Sequence, residues 1–160
     1  MSQSQELVSV DPDENTIGWH PYNLDHAAQE LVLKYRDQKN VLNESHKMRM
    51  AVAYGLERFW GEHLRFERES SAESKNKGKY WKSVWIKLAQ ILKETNIELP
   101  DSEGNISLNE TENIRKATNE IWKMDAEQRA VSLMVLTQFC DSLVWWTQRY
   151  RTKKDDGSDT

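Results

Sequence analysis

The stretch from Asp125 to Thr152 constrains the fold of this chain more than any other. It reads DAEQRAVSLMVLTQFCDSLVWWTQRYRT and contains neither proline nor glycine, so nothing in it must interrupt a helix. Asp125 is a favourable N-cap residue, and Gln128 follows at the spacing of a capping box. Apolar residues cover more than one face, which predicts a helix covered on several sides by others. The single cysteine, Cys140, is predicted to be a buried structural thiol.

Apolar residues recur at helical spacing in four earlier segments as well. These predict helices over residues 24–38, 44–68, 79–95 and 107–124. Ser107 and Glu110 form a candidate capping box for the last of them, and Gly55 inside the second suggests a close helix crossing. The Ser-rich segment 69–78 is predicted to be a mobile loop. Because no segment alternates like a strand, we expect an all-α bundle of about five helices with the C-terminal helix at its centre.

The 160 residues suit one helical domain, predicted over 23–152, with a flexible leader at 1–22 and a disordered tail at 153–160. Charged residues make up 30% and apolar residues 38%, and no apolar run is long enough to cross a membrane. The N-terminus also lacks the apolar core of a signal peptide. We therefore expect a cytoplasmic protein without membrane contact.

Catalytic and metal-binding motifs are largely missing from the sequence. The four histidines are scattered without a partner at i+4, so neither a metal site nor a cofactor is expected. One enzymatic alternative is Arg58 with His63, which has the R-x4-H spacing of the HEPN ribonucleases and resembles them in these two residues only. That resemblance implies His63 as acid or base and Arg58 as a phosphate-charge stabiliser. The competing interpretation is a core histidine, because His63 also lies on an apolar stripe.

Six lysines fall between residues 75 and 93, and no acidic residue lies among them. They are Lys75, Lys77, Lys79, Lys82, Lys87 and Lys93. Several cations on one surface can neutralise the phosphates of a nucleic acid. Lysines on the solvent-exposed side of a helix would give the same sequence pattern without binding anything. The net charge of −4 argues mildly against nucleic acid, but a net charge can hide a basic patch.

Three stretches together resemble the small α-helical subunit of type III CRISPR effector complexes. They are MRMAVAYGLERF, KGKYWKSVWIKLAQILKETNI and AEQRAVSLMVLTQFCDSLVWWTQRYR. In the last, Arg129 and Thr137 precede the apolar run into Trp146 and Arg149, as in the closing helix of that family. The family's Gly-Leu after its third helix is replaced by Asn96-Ile97.

The resemblance implies a non-catalytic subunit of an RNA-guided antiviral ribonucleoprotein complex. Such a subunit contacts the backbone of the guide–target RNA duplex, stacks with copies of itself and binds other subunits of the complex. The expected RNA-binding residues are the six lysines together with Arg149 and Arg151. A plain protein-interaction bundle without RNA is the remaining alternative.

Overall fold

A computed structural model describes residues 21–153 of the chain. Within this range the protein has six α-helices, two short 3-10 turns and no strand, so the all-α prediction is confirmed. The helices are α1 (Pro21–Tyr35), α2 (Glu44–Ala51), α3 (Leu56–Glu67), α4 (Ala72–Lys93), α5 (Thr111–Trp122) and α6 (Ala126–Tyr150). The predicted leader and tail lie almost wholly outside the described residues, except that Pro21 and Tyr22 form the first turn of α1.

The predicted helix over 44–68 is interrupted at Gly55, which splits it into α2 and α3. A 3-10 turn over Val52–Tyr54 ends the first part, and Gly55 then adopts φ 99° and ψ 166°. This backbone conformation is essentially restricted to glycine. Gly55 therefore marks a break between two helices, not the close helix crossing that the sequence suggested.

Alanine substitutions at two neighbouring glycines should have opposite effects on stability. Gly55→Ala places a Cβ at positive φ and should lower the free energy of unfolding by about 1–3 kcal/mol. Gly61→Ala fills open space in the interior of α3 and should raise it by about 1 kcal/mol. Urea unfolding of both variants measures the difference. Equal stability of the two variants would contradict the assignment of Gly55 as a required break.

Helix α4 begins much earlier than the sequence indicated, because segment 72–78 is helical and not a mobile loop. The Ser71 hydroxyl caps it by accepting a hydrogen bond from the Ser74 N–H at 3.1 Å. Gly78 then packs against α3, where a Cβ would come within 2.9 Å of Phe66 Cβ. The segment has few apolar residues, so its helical state depends on this tertiary packing and not on a hydrophobic stripe.

Helix α5 starts at Thr111, four residues after the predicted start. Only half of the expected capping box forms, since the Ser107 N–H donates to Glu110 Oε1 at 2.7 Å ahead of the helix. Asp125 behaves as predicted at the start of α6, where its Oδ1 accepts from the Gln128 N–H at 2.7 Å.

Helix α6 packs against α1, α2 and α4, but it buries a single stripe and not its whole circumference. The buried residues are Ser132, Val135, Leu136, Phe139, Cys140, Leu143 and Thr147. The predicted cover on several sides is confirmed, but Met134 and Trp145 on other faces are each 47% exposed, so the cover is not complete. Cys140 is buried as predicted, and burial raises the pKa of its thiol.

Two polar clusters lie inside the bundle. Ser45 Oγ lies 2.6 Å from the Tyr80 hydroxyl and 2.7 Å from Thr147 Oγ1, which joins α2, α4 and α6. Glu44, at the start of α2, is fully buried and accepts a hydrogen bond from Trp81 Nε1 at 2.9 Å. These hydrogen bonds satisfy polar groups that would otherwise be costly to bury.

Candidate nucleic-acid interface

Three of the predicted lysines share one face of α4. Lys75, Lys79 and Lys82 are spaced at i, i+4 and i+7, which aligns side chains on one side of a helix. They line a cavity of about 200 Å³ beside α3, named here the lysine cavity. The lining residues are His63, Glu67, Lys75, Gly78, Lys79 and Lys82.

Gly78 lines the lysine cavity, and Gly104 packs against the stem of one of its lysines. A Cβ on Gly78 would meet Phe66 Cβ at 2.9 Å and the His63 carbonyl at 3.4 Å, so α3 and α4 are in near backbone contact there. A Cβ on Gly104 would meet the Lys82 stem at 2.9 Å. Gly104 therefore makes room for that stem against the loop that precedes α5.

The lysine cavity carries an excess of positive charge. Lys79 and Lys82 form no ion pair with any residue in the described range 21–153. The Lys75 ammonium donates to the Glu67 backbone carbonyl at 3.4 Å. Glu67 supplies the one carboxylate in the lining, and its Oε2 accepts from the Leu108 N–H at 2.8 Å. Three ammonium groups against one carboxylate favour an anionic ligand.

Lys77 turns away from this face, which corrects its placement among exposed RNA-binding lysines. Its side chain is only 14% exposed, and its ammonium lies 3.8 Å from Glu44 Oε2 and 3.4 Å from Glu73 Oε2. Two residues along a helix point about 200° apart, so Lys77 cannot share the face of Lys75 and Lys79. Its role is to neutralise the buried Glu44 carboxylate.

The other predicted cations lie outside the lysine cavity. Lys87 lines a separate groove together with residues of α1, and Lys93 is exposed in the last turn of α4. The Arg149 guanidinium lies over the Trp145 ring at 3.8 Å, and Arg151 follows the end of α6. The structure thus divides the predicted basic set among several surfaces.

Arg58 and His63 line different cavities. Arg58 is exposed, lies over the Tyr54 ring at 5.9 Å and lines a cavity beside α2. His63 is 4% exposed and lines the lysine cavity. Five residues along a helix separate side chains by about 140°, which accounts for the divergence. The ribonuclease alternative stays a prediction, and the arrangement brings His63 to lysines instead of to Arg58.

The environment of His63 fixes the proton on its ring. Its Nδ1 lies 2.6 Å from the Trp60 carbonyl oxygen, which can only accept, so Nδ1 carries a proton. Burial is the largest influence on the pKa of the ring and lowers it, and the Lys82 charge lowers it further. The Trp60 carbonyl, the Asp101 charge and the Ile106 backbone raise the pKa, but they do not offset the burial. The ring is therefore neutral near pH 7. Its Nε2 is buried and forms no hydrogen bond within residues 21–153, although the Ile106 backbone lies near enough to act on the ring.

Comparison with known proteins returns nothing that identifies the chain. No protein-family model, no curated protein and no solved structure matches it. The type III CRISPR resemblance accordingly depends on the quoted residues alone.

The described residues contain neither a candidate metal site nor a candidate membrane-spanning helix. No group of three or more metal-ligating side chains occurs between residues 21 and 153. None of the helices in that range combines the length and apolar character that a bilayer-spanning helix requires.

The sequence indicated the lysines of this site and named His63 as a candidate, but it showed neither the cavity nor that His63 lies beside these lysines. The spacing of Lys75, Lys79 and Lys82 could have shown a common face had residues 72–78 been assigned to a helix. The position of His63 opposite that face depends on how α3 packs against α4, which no local pattern reveals.

Proposed function

We propose that this chain is a non-catalytic RNA-binding subunit that holds the phosphate backbone of RNA at the lysine cavity. The observation that carries the proposal is the convergence of Lys75, Lys79 and Lys82 on one cavity, where none of the three forms an ion pair within residues 21–153. An ammonium group binds phosphate as a point charge, and several together neutralise successive phosphates. Such contacts position RNA without reading its bases.

The resemblance to the type III CRISPR small subunit supplies the proposed setting. In that setting the RNA is the guide–target duplex, and the partners are further copies of this chain and the other subunits of the effector complex. The all-α fold is compatible with this setting, and α4 carries the basic segment on one continuous helix of 22 residues.

Neutralising the lysine cavity should weaken RNA binding and reduce its dependence on salt. The logarithm of the RNA association constant falls linearly with the logarithm of the salt concentration, and each phosphate contact contributes about 0.7–0.9 to the steepness of that line. We expect K75Q/K79Q/K82Q to make the line shallower by about 2–3. If the salt-independent part of the binding free energy is unchanged, the RNA affinity near physiological salt should fall about 50–150-fold. Fluorescence anisotropy with a labelled RNA duplex across a salt series measures both quantities.

The matched control removes the same charge from elsewhere on the surface. Lys39, Lys116 and Lys123 are exposed and line no part of the lysine cavity, so K39Q/K116Q/K123Q gives an equal change in net charge. This variant should keep most of the affinity and of the salt slope. The proposal fails if both triple variants bind RNA equally well, or if the unmodified protein binds no RNA.

A further inference from the structure

We propose that the lysine cavity recognises the ribose 2′-hydroxyl together with its neighbouring phosphate, through His63 Nε2 and the surrounding lysines. The protein would then select RNA over DNA at this site. The inference depends on the proposed RNA-binding function and adds to it a specificity that phosphate contacts alone do not provide.

The first step is the hydrogen-bonding character of His63. The Trp60 carbonyl oxygen lies 2.6 Å from Nδ1 and accepts a hydrogen bond from it. The proton of the neutral ring is therefore on Nδ1, and Nε2 carries the lone pair. Nε2 is the distal ring nitrogen, so it points away from the α3 backbone that Nδ1 contacts. A ligand group that pairs with Nε2 must therefore be a hydrogen-bond donor.

The second step is that the protein leaves this acceptor unused. Nε2 is buried and has no partner within the described residues, which is uncommon for a buried polar atom. Lys75, Lys79 and Lys82 line the same cavity, yet none of them donates to it. An unpaired buried acceptor next to unneutralised ammonium groups indicates a site completed by a ligand.

The third step is the chemistry that satisfies both features at once. The lysines require an anionic oxygen, and Nε2 requires a hydroxyl donor close to that oxygen. In RNA the 2′-hydroxyl lies next to the 3′-phosphate, so a single nucleotide step supplies both groups. DNA supplies the phosphate but no hydroxyl, and it would leave Nε2 unpaired in a desolvated site.

The dimensions of the cavity agree with this ligand. A volume of about 200 Å³ corresponds to about seven water molecules at ~30 Å³ each, which is enough for a hydroxyl and an adjoining phosphate group entering from outside. His63 is only 4% exposed, so the hydroxyl has to enter between the lysine side chains. Lys79 is exposed at the surface, and its flexible stem allows such movement.

The test compares three oligonucleotide duplexes of one sequence, made of RNA, of 2′-O-methyl RNA and of DNA. The methyl ether removes the hydroxyl donor but keeps the RNA-like helix, which separates hydroxyl recognition from helix shape. We expect the unmodified protein to bind RNA about ten-fold more tightly than either analogue. Equal affinity for RNA and 2′-O-methyl RNA would overturn the inference while leaving the proposed function intact. Failure to bind any of the three would overturn both.

Two substitutions of His63 test whether the histidine provides the preference. His63→Gln can place an amide oxygen near the position of Nε2 and should retain part of the preference for RNA over its methyl ether. His63→Met has a comparable length without a strong acceptor and should abolish the preference while preserving lysine-dependent binding. A thermal melt of each variant confirms that it is folded. A full preference in folded His63→Met would exclude His63 as the hydroxyl acceptor.

Nitrogen NMR of the histidine rings gives a readout that requires no variant. In the free protein, the His63 Nε2 resonance should lie at the position of an unprotonated ring nitrogen, and it should shift on addition of RNA but not of 2′-O-methyl RNA. A proton on Nε2 in the free protein would overturn the tautomer on which the inference depends.

Discussion

Replacing Glu44 by alanine should destabilise the protein by about 3–5 kcal/mol, the usual cost of removing one partner from a buried ion pair. The Glu44 side chain is fully buried and accepts a hydrogen bond from Trp81 Nε1 at 2.9 Å. Its Oε2 lies 3.2 Å from the Lys47 ammonium and 3.8 Å from that of Lys77. The substitution leaves a buried indole donor without its acceptor, and it leaves the 14%-exposed Lys77 with Glu73 alone.

Urea unfolding monitored by tryptophan fluorescence or by circular dichroism measures this loss. Glu30→Ala is the matched control, because Glu30 is exposed and, among the described residues, pairs only with the exposed His26 at 3.7 Å. It should change stability by less than about 0.5 kcal/mol. A Glu44→Ala variant as stable as Glu30→Ala would show that the buried Glu44 cluster contributes little to the fold.

Phe139→Ala should also cost about 3–5 kcal/mol, since truncating a buried aromatic side chain loses its transfer free energy and leaves a cavity. Phe139 is completely buried on the stripe of α6 that faces the core of the bundle. Because α6 packs against α1, α2 and α4, a cavity there weakens several helix contacts together.

The controls for Phe139 lie on the same helix. Trp145 and Met134 are each 47% exposed, so Trp145→Ala and Met134→Ala should cost about 1 kcal/mol or less. Trp145 is the more stringent control, as it is the larger side chain and contacts Trp146 edge-on at 4.7 Å. Equal losses at Phe139 and Trp145 would contradict the division of α6 into a buried stripe and a partly exposed face.

The sequence predicted the elements whose evidence is local. The Asp125 cap, the long C-terminal helix and the buried Cys140 follow from residue type and spacing within one segment, and the structure confirms them. Gly55 within a helical pattern suggests a close crossing, but its φ of 99° shows that it is a break between two helices. A glycine in a helical pattern permits either outcome.

The errors fall where a segment depends on contacts that are distant in sequence. Residues 72–78 lack apolar spacing, which predicts a loop. In the structure Gly78 packs on Phe66, and Lys77 pairs with Glu44, 33 positions earlier. The Ser107–Glu110 pattern predicts too early a start for α5, because Glu110 accepts from the Ser107 N–H in the loop before the helix begins. In each case the side-chain pattern is compatible with both states, and tertiary contacts select one.

By itself, the sequence determined that the chain forms an all-α bundle, because helical periodicity and caps act within a few residues of one another. Only the tertiary structure decided which lysines face a ligand and which neutralise a buried carboxylate, since that depends on the helix packed opposite each one. It also decided that His63 faces Lys75, Lys79 and Lys82 and not Arg58. A local pattern gives the face of a helix on which a residue lies, and packing then determines what that face meets.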